Sequence, residues 1–311
     1  MRKIELDPNP SVFAMAPTPF TTDNEVDEPA LRAHLRRMVE GGCDVYMGSG
    51  GVGEGHVLTT DELRRVYEIG VDECKGKIKV YANPREARSA ADMLQLANLA
   101  AASGIEVVQL YPMDAGHGMR PNYLEQERYY CKLLDAIDYP TSISVHVAVG
   151  YVTPVDLVAK LTRDYPLVRE INIMGPPMSY FVQLRDQARP DVKLNTGIAN
   201  LLLSLPLGAN GCLCAEPNII PKVCRAVVDH WVKGDQQAAG EALTNVIRFG
   251  NIVNQWAPST ARWIKMALKI LDLPGGNGVV REPYLLPGEA DQKKMADQFA
   301  AMGLKELEGL P

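Results

Sequence analysis

A chain of 311 residues, 46% hydrophobic and 23% charged, is long enough for one large core or for a barrel with an appendage. Its net charge of −6, with no long basic run, lacks the clustered Lys and Arg that nucleic acid and anionic membrane surfaces demand. No apolar run approaches the roughly 20 residues of a membrane span, and the start Met1-Arg-Lys-Ile-Glu-Leu-Asp-Pro has no apolar leader, so a cytoplasmic location is expected.

The predicted elements alternate from the start. Val12 to Phe20 is a short apolar strand stopped by two prolines, and Asp27 to Gly41 carries helical spacing at Leu31, Leu35, Met38 and Val39. A second strand, Cys43 to Met47, runs into the glycine-rich Gly48 to Gly55; Thr59-Thr-Asp-Glu62 then caps a helix reaching about Cys74. Strands follow at Lys77–Ala82, Glu106–Tyr111, Ser142–Val147, Glu170–Met174, Lys193–Asn195 and Gly211–Ala215. Helices are expected between them at Ser89–Ser103, Asn122–Ile137, Thr153–Arg163, from Ser179, and at Leu201–Leu207.

Eight strand-helix alternations without a linker are what a (β/α)8 TIM barrel requires. The barrel is assigned to residues 1–225. Residues 226–311 hold further helical segments, Asp235 to Gln255, Thr260 to Leu271 and Ala290 to Leu304, read as a C-terminal helical layer packed on the barrel or an oligomer contact. Six cysteines (Cys43, Cys74, Cys131, Cys212, Cys214, Cys224) show no Cys-x-x-Cys and read as small buried hydrophobes. Cys212-x-Cys214 is a weak metal signal, and no metal or other cofactor is expected.

Several stretches carry a resemblance: Ala16-Pro-Thr-Pro-Phe-Thr21, Gly53-Glu54 before Leu58-Thr-Thr-Asp-Glu62, Leu207-Gly-Ala-Asn-Gly-Cys212, Asn218, Lys265-Met-Ala-Leu-Lys269 and Val280-Arg-Glu-Pro-Tyr284. Over nearly its whole length the chain resembles the dihydrodipicolinate synthase and N-acetylneuraminate lyase family of barrel aldolases and dehydratases. These motifs are specific for the fold and weak for the reaction. The resemblance implies a lysine at the end of strand six that forms a Schiff base with a 2-oxo acid. Asn172 stands there, and no lysine occurs between Val168 and Ser179. The family's paired carboxylate-binding threonines fall at Gly51 and Val52, its strand-five tyrosine at Ile143, and the arginine of the following loop near Ala148. The nearest substitutes, Lys79 and Lys193, sit early in their strands, toward the wrong end for catalysis. Relatives of this kind are commonly homotetramers built from dimers, so a homo-oligomer, dimer or tetramer, is expected.

Active sites of this architecture form at the C-terminal strand ends, and the polar residues there are the candidates. His146 interrupts the run Ile143-Ser-Val-His-Val-Ala-Val149 and reads either as a hydrogen-bonded core residue or as a general acid/base. Asn172 is suited to donate a hydrogen bond to a carbonyl or enolate oxygen. His117, in the loop Asp114 to Met119, is a further acid/base or an exposed loop histidine; Glu216 is an added acid/base or a salt-bridge partner. Arg85 offers a fork to a substrate carboxylate or an ion pair to Glu86 or Glu125. Tyr111 and Asn195 complete the substrate-binding set with Gly50, Gly51 and Val52, whose N–H groups would receive an anion as a backbone nest. That turn lacks the Lys-Ser/Thr of a P-loop and misses the dinucleotide fingerprint. No local ligand spacing gathers His117, His146, Asp114 and Glu216 on a metal.

Two readings follow. The first is a lyase-type enzyme (aldolase, dehydratase or related carbonyl chemistry) on a small 2-oxo acid or similar carbonyl substrate, working without the Schiff base by general acid/base and hydrogen-bond stabilisation. The second is a catalytically silent relative that binds a small molecule or serves an assembly. An aldolase with a relocated lysine is a third possibility.

Overall fold

The structure, a computed structural model, describes residues 4–256 and 260–311, so the first three residues of the start Met1-Arg-Lys-Ile-Glu-Leu-Asp-Pro lie outside the described residues. The strands are β1 (Ser11–Met15), β2 (Asp44–Met47), β3 (Val80–Ala82), β4 (Val107–Leu110), β5 (Thr141–His146), β6 (Val168–Met174), β7 (Lys193–Thr196) and β8 (Gly211–Cys214). They close in sequence order into a barrel. The helices are α1 (Glu28–Glu40), α2 (Thr60–Cys74), α3 (Ala90–Ala102), α4 (Tyr123–Leu134), α5 (Val155–Asp164), α6 (Met178–Gln187), α7 (Leu201–Ser204) and α8 (Pro221–Val232), followed by α9 (Gln236–Val253), α10 (Thr260–Ile270), α11 (Glu289–Met302) and α12 (Leu304–Glu308). This is the (β/α)8 barrel expected from the alternation, with helices beyond it at the C-terminus. None of the described helices is long and apolar enough to cross a membrane.

Local chemistry explains the helix starts. Thr59 and Glu62 close a reciprocal capping box on α2, the Thr59 hydroxyl accepting from Glu62 N (3.2 Å) and Glu62 accepting from Thr59 N (2.8 Å). Asn122 and Glu125 do the same on α4. The apolar stretch Leu201–Leu207 does not form the single helix expected. Pro206 cannot donate, Gly208 turns at φ +93°, and α7 gives way after one turn to a 3₁₀ segment at Leu205–Leu207.

The chain falls into two compact units, residues 1–11 with 81–213, and residues 12–80 with 214–311. In the first, β4 to β7 pair in parallel with Gln109 opposite Ser142, Ser144 opposite Asn172, and Asn172 opposite Asn195. Gly211 passes so close to Ser11 that an added Cβ would lie 2.2 Å from the Ser11 carbonyl oxygen, which only glycine permits. In the second unit β1 and β2 pair in parallel. Phe249 of α9 stacks on Phe299 of α11 at 5.6 Å and meets Trp263 of α10 edge-on at 5.9 Å.

Candidate functional site

Strands β4 to β7 alternate in an unusual sense. Ile143, Val145, Ile171, Ile173 and Leu194 alternate with Ser142, Ser144, Glu170, Asn172 and Asn195, and all of these are buried. The polar set faces inward: Gln109 on β4 bonds Asn172 on β6 although β5 lies between them, which only interior-facing side chains can do. Interior layers of such barrels are ordinarily bulky and apolar.

The inward groups form a connected chain. Tyr81 OH donates to Glu170 Oε1 (3.1 Å), and Asn195 Nδ2 donates both to Glu170 Oε2 (3.1 Å) and to Asn172 Oδ1 (3.0 Å). Asn172 Nδ2 donates in turn to Gln109 Oε1. Just past the strand ends, Asn83 Nδ2 donates to the Tyr111 hydroxyl at 3.4 Å. Burial raises the Tyr111 phenol pKa, and the negative charge of Glu86 adds to this; the side-chain amides of Asn83 and Gln109 beside the phenol oppose it.

His146 ends β5. Its ring meets Tyr111 edge-on at 5.1 Å, and its Nε2 lies 3.6 Å from Glu86. Burial depresses the imidazole to about 4, so the ring is neutral at pH 7. Three buried polar atoms of this region have no hydrogen-bond partner: Gln109 Nε2, Asn83 Oδ1 and His146 Nε2. Such atoms are infrequent in folded proteins and mark places where a ligand or water completes the set.

Of the candidates named from the sequence, His146, Tyr111, Asn172 and Asn195 thus share one region of the first unit. Arg85 is half-buried nearby in sequence; among the described residues it makes no ion pair, Glu86 facing His146 and Glu125 capping α4. His117 sits elsewhere, exposed at φ +55°. It lines a cavity of about 670 Å³ with Arg88, Asp114, Arg120 and Glu125. Lys193 opens β7 and Lys79 immediately precedes β3, both at the N-terminal strand ends. Gln109, Asn83, Glu170 and Tyr81 were missed by the sequence reading. The signal was present in the alternation Ser142-Ile-Ser-Val-His146 beside Glu170-Ile-Asn-Ile, polar residues at every second position of strands expected to be buried on both faces.

The second unit holds the remaining candidates. In the turn after β2, Gly53 N donates to Ser49 Oγ (2.7 Å), and His56 Nδ1 lies 2.7 Å from the Gly50 carbonyl oxygen, while Thr18 OH donates to Gly53 O at 2.8 Å. Gly55 is required because a Cβ there would lie 2.4 Å from Gly48 O. Gly51 is exposed and Val52 buried. Glu54 adopts φ +47° and buries its carboxylate against Lys265 Nζ. Burial lowers the Lys265 pKa, against the opposing pull of Glu54. Glu216 accepts from Ala215 N (3.0 Å), and burial raises its carboxyl pKa. No cluster of three His, Cys, Asp or Glu able to hold a metal occurs among the described residues.

Comparison with known proteins bears on the family and the barrel fold. The chain is 29% identical over 238 residues to a 4-hydroxy-tetrahydrodipicolinate synthase of Methanothermobacter thermautotrophicus, covering 74% of this chain and 81% of that one. It is 25% identical over 294 residues to the Methanosarcina mazei enzyme of the same name, covering 93% and 97%. Among solved structures, a prophage protein of the dihydrodipicolinic acid synthase family from E. coli K12, in complex with pyruvate, superposes with TM-score 0.86 at 18% identity, covering 95% of this chain and 99% of that one. Dihydrodipicolinate synthase from Aquifex aeolicus gives 0.85 at 19% identity, with 95% and 98% covered. Residues 9–302 match the dihydrodipicolinate synthetase family, and the chain belongs to it.

Proposed function

We propose that this protein is a lyase-type enzyme, of the aldolase or dehydratase kind, acting on a small 2-oxo acid or similar carbonyl compound without a Schiff base at strand six. The observation that carries the reading is the buried amide chain around Asn172, which occupies the position where the resemblance implies the lysine and ends in polar atoms without partners. An amide cannot form an iminium, but preorganised donors in a water-poor site stabilise a developing enolate oxygen electrostatically.

The proton traffic falls to His146 in this reading. Its ring is neutral at pH 7 and lies 3.6 Å from Glu86. Burial weakens it as a base, so taking a proton from carbon depends on the Glu86 carboxylate stabilising the imidazolium that forms. Tyr111, edge-on to that ring, forms one wall, and Arg85 is the substrate-carboxylate partner on the same unit. His117 and Glu216 are the other acid/base candidates, each to be tested as a single variant.

Borohydride trapping with pyruvate and a panel of 2-oxo acids, read by intact mass, tests the reading together with thermal shift. No covalent adduct and a raised melting temperature are expected. An adduct on Lys79, Lys193 or the buried Lys265 overturns the non-covalent mechanism. No adduct and no shift with any acid favours the catalytically silent relative. Given a substrate, full activity in both His146→Ala and Asn172→Ala would remove the assigned residues from the chemistry.

A further inference from the structure

Side-chain amides can point either way, but a carboxylate only accepts hydrogen bonds, and here one carboxylate sets the direction of three amides. Glu170 receives the Tyr81 hydroxyl on Oε1 and Asn195 Nδ2 on Oε2. Asn195 is thereby turned with its nitrogen inward, and the same nitrogen donates to Asn172 Oδ1 at 3.0 Å. With its oxygen engaged, Asn172 reaches Gln109 through Nδ2, and Gln109 accepts through Oε1. The opposite end of the Gln109 amide, Nε2, is left buried beside the Tyr111 phenol with no hydrogen bond of normal geometry.

We infer that Glu170, Asn195 and Asn172 form a one-way hydrogen-bond relay whose output is the Nε2 donor of Gln109, the group that receives the oxygen of a carbonyl or enolate substrate. The substrate half of this statement rests on the proposed carbonyl chemistry; the polarity of the relay rests on the barrel interior alone. The role moves the oxygen-binding donor from Asn172, whose amide is engaged on both of its polar atoms, to Gln109 one strand pair away. Asn172, Asn195 and Glu170 become positioning residues. A donor held from behind by a fixed chain need not reorient as charge develops on the substrate, and low local polarity strengthens each bond along the chain. Asn83 Oδ1, also buried and unpartnered, supplies an acceptor beyond the next strand, β3, so the region suits a ligand carrying a hydroxyl as well as a carbonyl oxygen.

The test uses side-chain amide nitrogen–proton NMR of the full chain without ligand, the Asn172 signals being assigned by their loss in Asn172→Leu. Gln109→Met removes the acceptor and should move one Asn172 amide proton upfield; Gln109→Glu keeps the acceptor and removes the donor, and should not move it upfield. An Asn172 signal indifferent to Gln109→Met overturns the relay. Pyruvate and 2-oxobutyrate are then titrated calorimetrically, and both Gln109 variants should bind roughly tenfold more weakly than the parent. Undiminished binding in both variants overturns the role of Gln109 while leaving the carbonyl reading intact. If the Asn172 proton moves as expected but the parent binds neither acid, the relay stands and the proposed function fails. Should Gln109→Met not fold, Gln109→Glu still reads the donor, and Gln109→Leu replaces it for the polarity measurement.

Discussion

The two units each bury a polar network, and the networks end differently. In residues 12–80 with 214–311, Lys265 pairs with Glu54 and lies 4.2 Å from the Phe20 ring centroid, Glu54 accepts Arg281 N at 3.1 Å, and the Arg281 fork closes on Glu62 at 2.7 and 2.6 Å. Every charge there meets its opposite, and of the network's buried polar atoms only Arg281 Nε has neither a hydrogen bond nor an ion pair. In residues 1–11 with 81–213, the chain from Glu170 through Asn195 and Asn172 runs out at Gln109 Nε2, with Asn83 Oδ1 and His146 Nε2 likewise unpartnered. A closed network fixes a conformation; one with open ends holds groups ready for a ligand. The first arrangement should therefore govern stability and the second binding.

The comparison breaks most readily at Lys265. Lys265→Met strands the Glu54 carboxylate in a site where the lysine is 1% exposed, and a loss of about 3–5 kcal/mol in urea unfolding is expected. The double variant with Glu54→Leu should recover much of it. A near-neutral Lys265→Met would mean that the closed network is ornamental.

Next in size is a pH effect. His34 is buried, its Nε2 is 3.0 Å from Asn218 Oδ1, and Asn218 Nδ2 donates to the Met15 and Ala215 carbonyl oxygens, so the ring is a neutral donor. Burial, with the charge of Arg37, depresses it from 6.5 to about 4. The unfolded chain takes up a proton that the folded state refuses. Stability is therefore full above pH 6.5 and falls by roughly 3 kcal/mol as pH drops from 6.5 to 4. Unfolding measured across that window should flatten in His34→Gln, and the similarly depressed His146 should account for a further share.

On the open side the balance reverses. Asn172→Ala leaves partners on Asn195 and Gln109 unpaired, for about 1–3 kcal/mol of stability, and the larger effect should appear as lost binding of 2-oxo acids in calorimetry. A variant that unfolds as severely as Lys265→Met yet binds normally would erase the distinction between the networks. The smallest effect belongs to the exposed pair Lys293–Asp297 at 2.7 Å, where Lys293→Ala should change stability by only a few tenths of a kcal/mol.

Much of the barrel was legible before its coordinates. Thr59-Thr-Asp-Glu62 announced a capped helix because cap chemistry is local, and the alternation of apolar strands with amphipathic helices required a closed parallel sheet. The broken helix at Leu201–Leu207 was also written in the chain, since Pro206 and Gly208 are the residues that end it, but its apolar run masked them. The candidate site was half legible. His146 stood out as polar within apolar residues, whereas Gln109 in Val-Val-Gln-Leu-Tyr looked like an incidental polar residue because its partner Asn172 lies 63 positions away and Asn195 and Glu170 act only through Asn172.

The sequence by itself determined the strand-helix order and the absence of a lysine from Val168 to Ser179, because both are properties of consecutive residues. Only the tertiary structure decided that Gln109, Asn172, Asn195 and Glu170 share one interior. Closing a parallel sheet brings side chains from β4, β6 and β7 to a common axis, and no spacing along the chain encodes which inward positions meet there. Direction along that amide chain was decided there too, since an amide becomes a donor or an acceptor only when a neighbour of fixed character, here the Glu170 carboxylate, faces it.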